Sequence, residues 1–266
     1  MNYLFDPDNW EWLTTGNNVR FILEGFLINL EIALVSMVFA LILGLALALL
    51  RLSRVKPVSV LAGGWIDLFR NLPLIFLILY FALGLPSSWK RAWEDAMPSW
   101  APEAFQSGLV LGALLGLVLY NSAVLAEIMR AGIQSLPRGQ AEAAHALGLN
   151  YWKAMRLVIL PQGLRRMVPA TVSQLITLTK DTTLVSIIAI VEVMRRARTV
   201  TATSGNPFTG GGTEAPILEV FLFVGLLFII FNYSLSRLSR RLEIREKKRS
   251  GSKPDVKVRG LEEQVA

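Results

Sequence analysis

Two short stretches hold the residues whose types and spacing could do chemistry. The first runs through Lys180-Asp181-Thr182-Thr183. Ahead of it, Ser173, Thr177 and Lys180 recur at i, i+4 and i+7, and Gln174, Thr177 and Asp181 form an overlapping set. On a helix each set falls on one face. Overlapping polar stripes in an apolar chain imply a face buried in protein or lining water. A lysine beside an aspartate offers a cation for a carboxylate and an acceptor for an ammonium, the two ends of a zwitterionic amino acid. The hydroxyls of Thr182 and Thr183 add further hydrogen-bonding groups. The same Lys-Asp pair could instead close a helix break as a structural salt bridge. Asn121 interrupts another apolar run, where it either faces the same path or bonds a neighbouring helix.

The second stretch is QAEAAHALGLNYWKAMRLVILPQG, residues 140–163. Pro137 can open a helix, because its missing N–H has no partner to lose there. Gly148 can take the left-handed conformation that stops a helix. Asn150 is a good N-cap for the next helix, expected to run to Leu160, where Pro161 breaks the ladder. The short helix is rich in small residues, Ala141, Ala143, Ala144 and Ala146, which let another surface come close. Tyr151 and Trp152 flank it on one side and Arg138 on the other. On shape alone it is either a handle that a partner can push or a plain elbow returning the chain to the membrane.

These stretches need elements to hold them. The chain has 266 residues, 53% of them hydrophobic, with a mean hydropathy of +0.48. Residues 32–50, IALVSMVFALILGLALALL, carry no charge, and about 20 residues of helix cross the hydrocarbon core. Runs of this kind lie at about 20–50, 65–85, 108–130, 157–180 and 216–236, with a weaker helical stretch at about 184–198. The expected fold is therefore an all-α polytopic membrane protein with about five transmembrane helices. It divides into an extracytoplasmic segment 1–19, a transmembrane domain 20–240 and a basic tail 241–266, too charged to pack a core and expected to be disordered. The segment 201–215, TATSGNPFTGGGTEA, has the composition of a flexible outer loop.

Lysine and arginine set the orientation. Segments 51–56 and 130–166 and the tail are basic, while the first residues carry Asp6, Asp8 and Glu11 and no arginine before Arg20. Five spans with the N-terminus outside and the C-terminus inside fit this pattern. Arg195, Arg196 and Arg198 do not fit it, since they fall near the outer side and call for a partner subunit or an aqueous cavity. From Arg166 to Lys180 is about 21 Å at 1.5 Å per residue, which puts Lys180 in the middle or outer half of the membrane. The outer segment 86–107 carries Trp89, Trp93 and Trp100, read as an interfacial aromatic anchor. Glu24 and Glu31 share a face near the outer end of the first span and are expected to reach water.

Composition removes several functions. There is no cysteine and one histidine, His145, so disulfides, thiolate metal sites and multi-histidine metal sites are excluded. No nucleotide-binding Gly-rich loop ending in Gly-Lys-Ser/Thr occurs, so no ATP site is expected here. No Gly-x-Ser-x-Gly is present, which argues against an intramembrane hydrolase. The net charge of +7 marks cytoplasmic loops and attraction to anionic lipid rather than nucleic acid. An ATP-independent carrier or channel would suit the polar stripe, but would leave residues 140–163 without a task.

Glu142-Ala143-Ala144, then Gly148, then Val158-Ile159-Leu160-Pro161 resembles the EAA motif of the permease subunits of bacterial ABC importers. Val158 stands where the pattern has isoleucine. The neighbouring LAEIMRAGIQSLPRGQ, VILPQGLRRMVPA and LTKDTTLVSI look like the polar amino acid permeases of the histidine, glutamine and glutamate type. Arg70 and Pro73 in FRNLPLIFLILYF match the Arg-x-x-Pro that leads into that family's second span, and Glu127 and Arg130 match its Ala-Glu-x-x-Arg. The last pair also reads simply as a helix-end ion pair, as do Asp67 and Arg70.

The resemblance implies that about 138–150 is a cytoplasmic coupling helix, docking in a groove of a separate ATP-hydrolysing subunit. Glu142, Ala143, Ala144, His145, Gly148, Tyr151 and Trp152 would make that contact. It implies that ATP and magnesium bind in that partner and that this chain is not an enzyme and holds no cofactor or metal. The other implied partners are an extracytoplasmic amino-acid-binding protein and a second permease subunit. The implied location is the bacterial cytoplasmic membrane, and the implied substrate is a polar amino acid of the glutamate, aspartate or glutamine kind. Ser173, Gln174, Thr177, Lys180, Asp181, Thr182, Thr183 and Asn121 would line its path.

Overall fold

The computed structural model describes residues 6–14, 16–202 and 216–249, with backbone alone at 246–249. Most of the 201–215 segment and residues 250–266 therefore lie outside the described residues. The helices are α1 (Asn18–Arg51), α2 (Lys56–Asn71), α3 (Leu74–Gly84), α4 (Ser87–Ala96) and α5 (Gly108–Gln134). They are followed by α6 (Arg138–Ala146), α7 (Tyr151–Ala154), α8 (Leu160–Asp181), α9 (Val193–Ala202) and α10 (Ile217–Arg249). No strand occurs among the described residues. Because α10 continues to Arg249, the first part of the basic tail is helical.

By length and composition, α1, α5 and α10 can each cross a membrane, and the bent pair α2–α3 is either a fourth, broken span or a re-entrant loop. With 22 residues, α8 is long enough to be the fifth, but its polar stripe sets it apart from the apolar spans. The run expected at 65–85 is not one straight helix. It breaks at Leu72-Pro73, and the two parts meet at 96°. Proline has no N–H for the ladder and pushes the residue before it out of the α region; Leu72 is extended, at φ −82° and ψ 138°. In place of Pro161 as a breaker, a π turn at Met155–Ile159 leads from α7 into α8. The Leu160 N–H reaches back to the Met155 carbonyl, and Gln162 Nε2 donates to the Val158 carbonyl at 3.0 Å. The wider turn lets the chain accept Pro161 without ending the helix.

At the centre lies α5, packed against α1, α2, α3 and α8. Lipid tails are as apolar as leucine, so close backbone approach rather than water exclusion drives such packing. At Gly112 a Cβ would stand 2.3 Å from Ala82 Cα, and at Gly44 one would stand 2.9 Å from the Ser122 carbonyl oxygen. Gly112→Val should force α3 off α5. Overpacking of this kind costs about 1–3 kcal/mol, read as a lower unfolding temperature of the purified chain in detergent. An unchanged transition would mean that α3 is free to shift.

A second cluster joins the N-terminal half of α1 to α9 and α10. Phe26 is met edge-on by Phe228 and Phe231 at centroid distances of 5.0 and 5.7 Å. The helix α4 carries Trp89 and Trp93. Trp93 Nε1 donates to the Phe105 carbonyl at 2.7 Å, and Glu94 Oε1 accepts from the Gly108 N–H at 2.8 Å, so both fasten the start of α5. Trp89 and Trp100 stay exposed.

Candidate functional site

The polar stripe lies on α8 as its spacing requires. Ser173, Thr177 and Lys180 are exposed, while Gln174 and Asp181 are half-buried. Ser173 and Thr177 donate to the Pro169 and Ser173 carbonyls one turn back. No salt bridge joins Lys180 to Asp181, and neither side chain has a hydrogen-bond partner among the described residues. The alternative of a structural salt bridge closing a helix break is thus not what forms. Lys180 and Thr183 line an open cavity of about 280 Å³ against Met194, Phe221, Val224 and Phe228.

The remaining residues of the expected path divide. Gln174 Nε2 donates to Asn121 Oδ1 at 2.8 Å, and Asn121 Nδ2 donates to the Leu117 carbonyl. Asn121 is fully buried, so here it bonds a neighbouring helix. Thr182 turns away from the stripe. Its hydroxyl donates to the Thr179 carbonyl and accepts from Asn29 Nδ2 at 3.2 Å.

That contact opens a buried polar cluster that the sequence reading missed. Asn29 of α1 also donates to Glu192 Oε2 at 3.0 Å and accepts from the Val193 N–H at 3.1 Å. Glu192 Oε1 in turn accepts from the Arg195 N–H at 2.9 Å, capping α9. Asn29 and Glu192 are both fully buried. The available signal was a lone asparagine in the apolar run FLINLEIALV. Asn29→Leu would strip Glu192 of its side-chain donor and leave the Val193 N–H unpaired. Leaving buried groups unsatisfied costs about 1–3 kcal/mol each, so the thermal transition should fall by more than for Trp100→Ala at an exposed position. An equal or smaller fall would show that the cluster holds nothing together.

Of the three outlying arginines, Arg196 now has its explanation. It is buried, with Nη1 donating to the Phe21 carbonyl at 2.9 Å and to Glu24 Oε2 at 3.0 Å, and it lies over the Phe21 ring. Glu24 also binds Arg20 at 2.9 Å. Glu31 is half-buried, and its Oε2 is buried without a partner among the described residues.

On the opposite side, α6 ends as its sequence dictates. The Gly148 N–H donates to the His145 carbonyl and the Leu149 N–H to the Ala144 carbonyl, with Gly148 at φ +79°. This pair of bonds is the Schellman stop. His145 Nδ1 lies 2.9 Å from the Leu149 carbonyl oxygen. Asn150 Oδ1 caps α7 by accepting from the Lys153 N–H at 2.9 Å. The elbow is tied to the turn after α1: the Tyr151 hydroxyl donates to the Leu52 carbonyl, and the Arg54 guanidinium lies 4.3 Å from the Tyr151 ring centre. Ala144 is the buried anchor of α6, while Glu142, Ala143 and His145 are exposed. Beside them the apolar Leu147 is 82% and Trp152 69% exposed. Leu147 was not among the expected contact residues.

The framing motifs fall on these elements. Arg130 binds Glu127 through Nη2 and Nε at 2.7 and 2.9 Å, near the end of α5. Asp67 and Arg70 make no ion pair. Arg70 and Pro73 flank the α2–α3 bend, and Pro161 follows the π turn.

Comparison with known proteins adds a second kind of observation. Residues 40–248 match the family described as binding-protein-dependent transport system inner membrane component. The probable glutamine ABC transporter permease protein of Bacillus subtilis is 34% identical, over 86% of this chain and 95% of its own. The glutamate/aspartate import permease protein of Escherichia coli is 31% identical, over 89% of this chain and 98% of its own. A crystal structure of an amino acid ABC transporter with histidines superposes with a TM-score of 0.67 at 25% identity, covering 85% of this chain and 94% of that one.

Proposed function

Since the chain belongs to the family of binding-protein-dependent transport system inner membrane components, we propose that this amino acid importer permease carries glutamine, glutamate or aspartate along the polar face of α8. The relatives named for those amino acids support the substrate class. The observation that carries the reading is Lys180, an exposed cation with no partner among the described residues, on the helix face shared with Ser173 and Thr177. It is free to take a carboxylate, and Asp181 beside it can accept from the ammonium.

The exposed side of α6, with Leu147 and Trp152, docks on a separate ATPase subunit, where ATP and magnesium bind. Closure of that subunit pushes α6, and the π turn between α7 and α8 passes the movement to the stripe. An extracytoplasmic binding protein delivers the amino acid, and a second permease subunit covers the open face of α8. The N-terminus lies outside and the C-terminus in the cytoplasm, in keeping with the basic segments.

The test is reconstitution with the ATPase and binding protein encoded beside this chain. ATP hydrolysis and uptake should rise together with one or two of glutamine, glutamate and aspartate, and not with leucine or lysine. Stimulation by an apolar or cationic amino acid alone would overturn the assignment.

A further inference from the structure

A second cavity, of about 190 Å³, lies at the outer side between α1, the turn before α5 and the segment that joins the 3₁₀ turn Thr182–Ile188 to α9. Ile28, Glu103, Ser107, Ala189, Ile190 and Arg196 are among its lining. Three features separate it from an ordinary surface dip. Arg196 is only 8% exposed, yet it is a fixed cation at this wall. Its Nη1 and Nε are held by Phe21, Glu24 and Val191, while Nη2 has no partner among the described residues. Glu24 is shared with Arg20, so one carboxylate serves two guanidiniums and positive charge is left over. Glu103, from a different element, brings a carboxylate with no partner among the described residues. Ala189 stands at φ +64°, a left-handed conformation uncommon for a residue with a Cβ. Such strain persists only where the surroundings impose it, and here it brings Ala189, Ile190 and Val191 onto the cavity wall.

We propose that this cavity is an outer amino-acid site, with Arg196 Nη2 taking the α-carboxylate, Glu103 the α-ammonium, and Ile28 and Ile190 the stem of the side chain. The ligand class rests on the proposed function, while the site is separate from the α8 stripe: it shares no lining residue with the cavity at Lys180. It would hold an amino acid arriving from outside before that molecule reaches Lys180.

The test is equilibrium binding of radiolabelled L-glutamine and L-glutamate to the permease–ATPase complex in nanodiscs without nucleotide, with glutarate as a competitor that lacks the ammonium. The wild-type complex should bind two molecules per permease chain. Glu103→Gln, an exposed position, should lose one of them or weaken it at least tenfold. Ala104→Leu, which fills the cavity, should do the same. Asp181→Asn should remove the other molecule, and glutarate should not compete for the outer one. If Asp181→Asn removes all binding while Glu103→Gln and Ala104→Leu change nothing, the outer site is wrong and the α8 path stands. If Glu103→Gln loses a molecule while Asp181→Asn retains both, the outer site stands and the α8 reading fails.

Discussion

Lys180→Met should slow uptake in the reconstituted importer sharply while the complex still assembles. Lys180 is exposed and holds no partner among the described residues, so methionine, of similar length, removes the charge and leaves the packing alone. Exposed substitutions of this sort usually change stability by no more than about 0.5 kcal/mol. A hydrogen bond to a charged group is worth about 1.5–3 kcal/mol, so the variant should take up substrate roughly 10- to 150-fold more slowly at limiting substrate. Lys180→Arg should recover part of this, since it keeps the cation. Normal uptake by Lys180→Met would return Lys180 to the role of a surface charge.

Gly148→Val should uncouple ATP hydrolysis from uptake. Apart from its chain neighbours, no described residue has an atom within 4 Å of where a Cβ would stand, so the cost is not crowding. It is the backbone: φ is +79°, and the left-handed region costs a residue with a Cβ about 1–2 kcal/mol, with branching at Cβ adding to it. A penalty of that size shifts a two-state balance by roughly 5- to 30-fold. The Schellman stop then opens, and α6 no longer holds its angle to α7. Gly148→Asn, which takes the left-handed region more readily, should keep most of the coupling. Measuring hydrolysis and uptake together separates the outcomes, because loss of both would mean misassembly rather than uncoupling.

How much of this was legible in the sequence follows from how local each feature is. The stop at Gly148 and the cap at Asn150 are decided within a few residues, and both form as read. The stripe on α8 needs only helical spacing, and its exposed members fall on one face. Pro73 stands inside a stretch read as one run at 65–85, and the 96° bend there goes with α3 seating against Gly112 and Gly116 of α5. Pro161 looked like a breaker because a four-residue ladder cannot absorb it, whereas a five-residue turn can. Arg196 stayed unexplained because its partner Glu24 lies 172 residues away in the chain. The bond between Asn29 and Glu192 spans 163 residues; no local pattern could pair them. Lys180 and Asp181 read equally well as a pair open to substrate or as a structural salt bridge, and only the three-dimensional arrangement shows that no bridge joins them.

The central claim is that the exposed side of α6 meets the ATPase subunit. The chain has no cysteine, so a single Leu147→Cys gives an unambiguous handle at a position that is 82% exposed. The measurement is disulfide cross-linking of that variant, in membranes, to single cysteines scanned over the surface of the ATPase encoded beside it. The account predicts an efficient cross-link confined to one groove of the ATPase, with a yield that changes when ATP is added. The absence of any cross-link from Leu147→Cys, with Trp89→Cys on α4 as the negative control and the ATPase present in the complex, would contradict it.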